Sequence, residues 1–235
     1  MTRTSLFKGL QWNDLRESLW TLGYGRVGIL LTQRECESLR ELYAEATLFR
    51  SRIDMARYRF GRGEYQYFSE PLPAIVKTLR EALYKKLVGT ANEWMAALSL
   101  SGEFPGELSS FLQQCHSNGQ GRPTPLLLRY QTGDFNRLHQ DLYGAIAFPF
   151  QVIVCLSKPE DEFTGGELLL VEQQPRAQST GHSIKLKQGE AVVITTRYRP
   201  VKGARGYFRT NFRHGVSRLL SGERYALGIV FHDAA

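Results

Sequence analysis

The stretch "NRLHQDLYGAIAFPF", residues 136–150, sets His139 and Asp141 two positions apart and then runs into an apolar segment. On a strand, residues two apart share a face. A histidine and a carboxylate aimed from one face into a cavity are two of the ligands a non-haem iron requires. A surface His–Asp pair near a strand end uses the same residues, so the surrounding chain has to decide. That surrounding chain is a series of short apolar or alternating runs punctuated by Gly and Pro. They read "LLLRYQ" (126–131), "FQVIVCLS" (150–157), "ELLLVEQ" (167–173), "SIKLK" (183–187), "AVVITT" (191–196), "FRTNFRHGV" (208–216) and "RYALGIVFHD" (224–233). Spaced strands with turn signals predict an antiparallel β-sandwich or barrel.

Upstream of "GQGRPTP" (119–125) the chain reads as largely helical. A short strand is expected at Val27–Leu31. Thr32 followed three residues later by Glu35 is a capping-box start for a helix through about Ala46. After a proline-marked entry, Ile75, Leu79, Leu83 and Leu87 recur at helical spacing. A further helix is expected over Glu107–Cys115. Helices need a sheet against which to bury their apolar faces, so "GQGRPTP" reads as a loop rather than a linker. The expected architecture is α+β, a double-stranded β-helix (jelly-roll) core buttressed by N-terminal helices. Residues 1–235 then form one domain, with 1–120 as mostly helical support and 121–235 as the jelly-roll catalytic core.

Composition narrows the class. The chain has 235 residues, 42% hydrophobic and 23% charged, as in an ordinary globular protein. No apolar run approaches the ~20 residues of a membrane helix, and the first 20 residues contain no uninterrupted leader-type segment. The three cysteines, Cys36, Cys115 and Cys155, are scattered and odd in number, which favours a reducing, cytoplasmic setting. Any metal site therefore rests on histidine and carboxylate.

The net charge of +7 is concentrated in two places. In "FRSRIDMARYRFGRGEYQYF" (49–68), arginines from Arg50 to Arg62 interleave with aromatics. In "RYRPVKGARGYFRTNFRHG" (197–215), Arg197, Arg199, Lys202, Arg205, Arg209 and Arg213 occur with four aromatics and no acid. Basic residues supply phosphate affinity and aromatics stack on bases. Placed at the barrel mouth, the second segment forms an electropositive rim for nucleic acid, a nucleotide or an acidic peptide. Its alternative is a twisted hairpin whose charges alternate outward into solvent.

A jelly-roll brings early and late strands together, so His139, Asp141 and His214 can ligate one face of a metal and leave the other open. Two histidines and one carboxylate suit Fe(II), whose vacant positions accept a 2-oxoacid and dioxygen. Arg224, planar and permanently charged, fits the far carboxylate of a dicarboxylate cosubstrate. The pattern "RYQTGDFNRLHQD … FTGGEL … RHGVSRLLSGERYALGI" resembles the Fe(II)/2-oxoglutarate-dependent dioxygenases, with features of their prolyl-hydroxylase-like branch. From about Phe49 to Asp233 the chain is similar to a bacterial group of oxygenases labelled as acting on damaged DNA by oxidative demethylation.

The resemblance implies an enzyme that couples decarboxylation of 2-oxoglutarate to hydroxylation of an unactivated C–H, using dioxygen. It implies Fe(II) on His139, Asp141 and His214, and 2-oxoglutarate on Arg224. Tyr130 stands where related enzymes offer a hydroxyl to the same carboxylate, or is a half-buried strand tyrosine. Gln151 faces the cosubstrate, or sits at a strand end. Gly165 and Gly166 are expected to form a turn and Glu167 to be an exposed edge residue. His116 and His182 are expected at the surface, and His232 outside the ligand set. The substrate follows the resemblance as a nucleic-acid base, met through segments 50–62 and 197–213. A protein side chain or small molecule is the second reading, and a non-catalytic jelly-roll binding module the third.

Overall fold

The computed structural model describes residues 12–235; residues 1–11, on which the leader reading partly rests, lie outside it. The helices are α1 (Trp12–Leu22), α2 (Gln33–Glu41), α3 (Ala74–Ala97) and α4 (Leu108–Ser117). The strands of the first half are β1 (Tyr24–Ile29), β2 (Phe49–Asp54), β3 (Gly61–Arg62) and β4 (Glu64–Phe68). Next come β5 (Leu126–Gln131), β6 (Phe135–His139), β7 (Phe150–Cys155), β8 (Phe163–Gly165), β9 (Leu168–Gln173) and β10 (Thr180–Ile184). The last are β11 (Glu190–Thr195), β12 (Tyr198–Gly203), β13 (Gly206–Val216) and β14 (Leu219–Val230).

Two antiparallel sheets face each other, as expected of a jelly-roll. The larger has the order β1-β11-β7-β14-β5-β4-β2, with β8 on β14; the smaller has β10-β9-β13-β6-β3, with β12 on β13. Strand alternation gives the large sheet two buried faces. Phe150, Val152, Val154, Leu227 and Ile229 point toward the helices, where they meet Val76, Leu79, Leu83, Leu87 and Trp94 of α3. Removing each such side chain from water stabilises the fold by about 1.5–3 kcal/mol, which is why the sheet requires a helical layer behind it. Their neighbours in sequence point the other way, into the space between the sheets.

The capping box at Thr32 forms as the sequence predicts, with both of its reciprocal bonds present. The α-helix stops at Glu41 rather than Ala46, where the chain tightens into two short 3-10 turns. The strand expected at Val27–Leu31 lies at 24–29, because Leu30 and Leu31 turn to bond the Gly189 carbonyl. The first half, in which helix outweighs strand, also contributes to the large sheet. Segments 49–54 and 64–68 form a hairpin that extends the large sheet through β4 against β5. Arginines alternate along β2 at Arg50 and Arg52, and in its partner β4 the inner positions are the aromatics Tyr65 and Tyr67. His182, expected at the surface, lies half-buried on β10. No helix among the described residues is long and apolar enough to cross a membrane.

Candidate metal centre and cavity

Strand periodicity assembles the site from both sheets. On the large sheet, Tyr130, Arg224 and Gln151 all fall on the inner face, and Arg224 is paired directly with Tyr130 across β14 and β5. On the small sheet, His214 stands opposite His139 across β13 and β6. Asp141 lies two residues beyond the end of β6, in an irregular segment rather than on the strand the sequence suggests. Its carboxylate still turns back to the histidines. Oδ1 is 3.5 Å from His139 Nε2 and Oδ2 is 3.2 Å from His214 Nε2. The donor atoms of the three side chains all lie within 4.8 Å of one another.

Outer contacts prepare these donors. His139 Nδ1 donates to the Arg137 carbonyl at 2.7 Å, which orients the ring and leaves Nε2 as the nitrogen turned into the cluster. Burial alone would raise the Asp141 carboxyl, but His214 and His139 outweigh it and hold the group well below the usual range. Burial lowers His214, with His139 acting in the same direction. For His139, burial is outweighed by the bond to Asp141 and its charge, which raise it. One carboxylate and two imidazoles, held this way without an acid in excess, form the donor chemistry that suits a divalent iron.

The three donors open onto a cavity of about 280 Å³. Its far wall carries Arg224 and Tyr130, only 3% and 0% exposed. Among the described residues, neither Arg224 Nε nor the Tyr130 hydroxyl has a hydrogen-bond partner. Buried donors left unpaired cost about 1–3 kcal/mol each, more when charged, unless a ligand accepts from them. Side by side at the end of a cavity, they fit one carboxylate of a dicarboxylic acid. Gly166 permits the approach. It sits at φ +64°, and a Cβ there would come within 3.1 Å of Arg224 Cδ and 2.6 Å of Leu219. Glu167, expected to be exposed, instead bonds Ser217 through both its backbone and its carboxylate.

Gln151 is not a strand-end residue. Alternation with Phe150 and Val152 turns it inward, and its amide lies 3.4 Å from the His214 ring. Four further aromatics line the cavity, a place the sequence did not assign them: Phe60, Tyr65, Tyr67 and Tyr143. The Tyr143 hydroxyl donates to Asp141 Oδ1 at 2.7 Å. The first three belong to the arginine–aromatic segment 49–68, which the sequence marks for nucleic acid rather than for the cavity wall; Tyr143 was visible only as a tyrosine two residues after the acid.

The basic segment 197–215 is a β12–β13 hairpin, and its charges divide. Arg199 is 5% exposed, pairs with Glu172 at 2.7 Å, and donates to the Trp20 and Thr21 carbonyls at the end of α1. It is therefore an internal tie and not part of a rim. Arg209 and Arg213 alternate with His214 and point to the opposite face of the small sheet. Arg197, Lys202 and Arg205 remain exposed. In segment 50–62, Arg52 pairs with Glu64, Arg57 with Asp54 at 3.8 Å and Arg62 with Asp134 at 3.7 Å. Arg50 turns inward over the Tyr67 ring at 4.4 Å. An open depression of about 540 Å³ lined by several of these groups is thus close to charge-balanced. Beside the cavity, Tyr58 and Phe60 stack on each other, exposed by 56% and 46%. His116 is half exposed and bonds Asp233, while His232 is fully buried.

A jelly-roll whose cavity carries a His–Asp–His cluster from one sheet and, from the other, a buried Arg without an ion-pair partner among the described residues has the donor set of an Fe(II)- and 2-oxoglutarate-dependent dioxygenase. Solved structures share the fold. A Pseudomonas putida prolyl-4-hydroxylase aligns with a TM-score of 0.57 at 16% identity, covering 96% of this chain and 100% of that one. A 2OG-Fe(II) oxygenase-family oxidoreductase from Burkholderia pseudomallei aligns at 0.56 and 14%, covering 97% and 94%. Residues 63–234 match the family described as oxygenases catalysing oxidative methylation of damaged DNA, and the chain belongs to that family. It is 51% identical over 168 residues to the Mycobacterium tuberculosis proteins named Uncharacterized protein Rv2227 and MT2286, covering 72% of each chain.

Proposed function

We propose that this protein oxidises a C–H bond of a nucleic-acid base, with an N-methyl group as the target. His139, Asp141 and His214 hold Fe(II), and Arg224 with Tyr130 holds the distal carboxylate of 2-oxoglutarate. The observation that carries this reading is the shared cavity, with three metal-type donors at one end and two unpaired buried donors at the other. Iron and 2-oxoglutarate, when bound, supply with dioxygen the oxidising power that inserts one oxygen atom into the C–H as the cosubstrate becomes succinate and carbon dioxide. On an N-methyl group the product is a hemiaminal, which releases formaldehyde and leaves the N–H.

The chain's own residues bind, orient and exclude water. Arg224 provides a fork for a carboxylate, and Tyr130 donates one further bond from the same wall. Gln151 lies against His214 and restricts its ring. Leu126, Leu128, Ile153 and Leu168 keep the cavity walls apolar. The family description and the exposed Tyr58–Phe60 stack beside the cavity support a base as substrate. Arg197, Lys202 and Arg205 add positive charge on the hairpin. Residues 1–120 and 121–235 act as support and catalytic core of one domain, with the β2–β4 hairpin of the support reaching into the cavity wall.

Hydroxylation of a protein side chain is the second reading, favoured by the charge-balanced state of segment 50–62. Succinate formation by iron-loaded protein on admission of air tests both. Stimulation by methylated DNA or RNA, with formaldehyde in step, supports the base. Stimulation by peptides alone moves the protein to the side-chain hydroxylases. Absence of any turnover with 2-oxoglutarate would overturn the enzymatic reading and restore the binding module.

A further inference from the structure

The segment that carries Asp141 has no ladder to hold it. β6 ends at His139, and the chain from Gln140 to Pro149 forms neither helix nor strand. Gln120 bonds the Ile146 backbone and His232 the Phe148 N–H further along, while two of the segment's own side chains hold the part around Asp141. Gln140 donates to the Phe212 carbonyl of the small sheet at 2.7 Å. Tyr143 reaches the other way. Its ring meets Tyr67 of β4 edge-on at 6.0 Å and lies 5.8 Å from His232, just past β14. Tyr67 is itself covered by the Arg50 guanidinium, whose Nε donates to the Pro123 carbonyl at 2.8 Å.

From that anchored position the Tyr143 hydroxyl donates to Asp141 Oδ1 at 2.7 Å, an oxygen that lies 3.5 Å from His139 Nε2, while Oδ2 lies nearer its histidine, 3.2 Å from His214 Nε2. A carboxylate is two-fold about its last torsion, so without an outer partner its two oxygens are equivalent toward a metal. We propose that Tyr143 is the positioning residue that assigns the two oxygens of Asp141: Oδ1 to the phenol, Oδ2 to the metal. The consequence is a single donor oxygen from Asp141, which keeps the remaining metal positions open for the cosubstrate and dioxygen. This rests on the metal-centre reading above. It also gives segment 49–68 a role apart from its charge, since Arg50 and Tyr67 form the base on which Tyr143 stands.

The test uses the full chain stripped of metal and titrated with Co(II), followed by its d–d absorption. Tyr143→Phe deletes one hydroxyl and keeps the ring. Loss of an outer partner of this kind typically costs 10–100-fold in metal affinity. The expected result is Co(II) affinity about tenfold weaker, with altered d–d band intensities, while the thermal midpoint of the metal-free protein stays near that of Tyr84→Phe. That control removes a phenol that donates to the Pro105 carbonyl at 2.7 Å, remote from the site, and should bind Co(II) like the parent. Co(II) affinity within twofold of the parent and an unchanged spectrum for Tyr143→Phe would overturn the proposal. So would equal weakening in both variants, which would indicate general loosening. Parent-like affinity in His139→Ala and His214→Ala would instead overturn the metal centre itself.

Discussion

His214 stands directly opposite His139 in the antiparallel ladder between β13 and β6, with ring centroids 4.2 Å apart. Facing residues on paired strands are the closest that two side chains of one sheet can be placed. The pairing therefore turns two positions 75 apart in the chain into neighbours around one space. The ladder is irregular just beyond, between His214 and Val216, where the register shifts.

Removing either imidazole should cost more than the roughly 100-fold that loss of an outer partner costs. His139→Ala and His214→Ala are expected to lose tight Fe(II) or Co(II) binding and 2-oxoglutarate turnover together, with the fold retained. Metal titration and succinate assay check both.

Arg224 is a buried guanidinium with no ion-pair partner among the described residues, an arrangement that is costly until a carboxylate arrives. Arg224→Met keeps the stem and removes the charge. Its ligand-free thermal midpoint should equal or exceed the parent's, and its 2-oxoglutarate affinity should fall by about 10–100-fold, the equivalent of one charge-assisted bond. A thermal-shift series with and without 2-oxoglutarate reads both; an unchanged affinity would remove Arg224 from the cosubstrate site.

The two classes of basic residue on the β12–β13 hairpin should separate cleanly. Arg199→Ala breaks a buried pair with Glu172 and is expected to destabilise the protein by about 3–5 kcal/mol in urea. Lys202→Ala and Arg205→Ala, both exposed, should change stability by less than about 0.5 kcal/mol. If they meet phosphates, each should lower the salt dependence of oligonucleotide binding by about one unit.

Burial holds His232 down to about 4, below its ordinary 6.5, with the ring accepting from the Phe148 N–H through Nδ1. Between these values the unfolded chain takes up a proton that the folded one refuses. The contribution of His232 is therefore complete above pH 6.5 and is lost progressively as pH falls toward 4. From pH 7 to 4.5 the loss should be about 2–3 kcal/mol. His232→Asn retains an acceptor for Phe148 and should remove that part of the slope, as measured by urea unfolding at each pH.

The donors were legible because their chemistry is local. His139 and Asp141 declare themselves by type and spacing, His214 and Arg224 by their place on late strands, and the capping box at Thr32 by two residues. Residues acting through long-range packing were not legible. Arg199 reads like any basic hairpin residue until Glu172 and the end of α1 close over it. The β2–β4 hairpin reads as a basic, aromatic-rich segment until β5 supplies the edge it pairs with, and only then do Tyr65 and Tyr67 become cavity wall.

By itself, then, the order of residues determined the strand-rich core, the helices behind it and the candidate donor groups, since these follow from periodicity and from what each side chain can donate. Which face each residue occupies was decided only by the tertiary structure. Register across a sheet sends neighbours to opposite sides, so Arg213 turns away while His214 enters the site. Buried partners also come from distant elements, so the difference between a surface cation and an internal tie appears only once the sheets have closed.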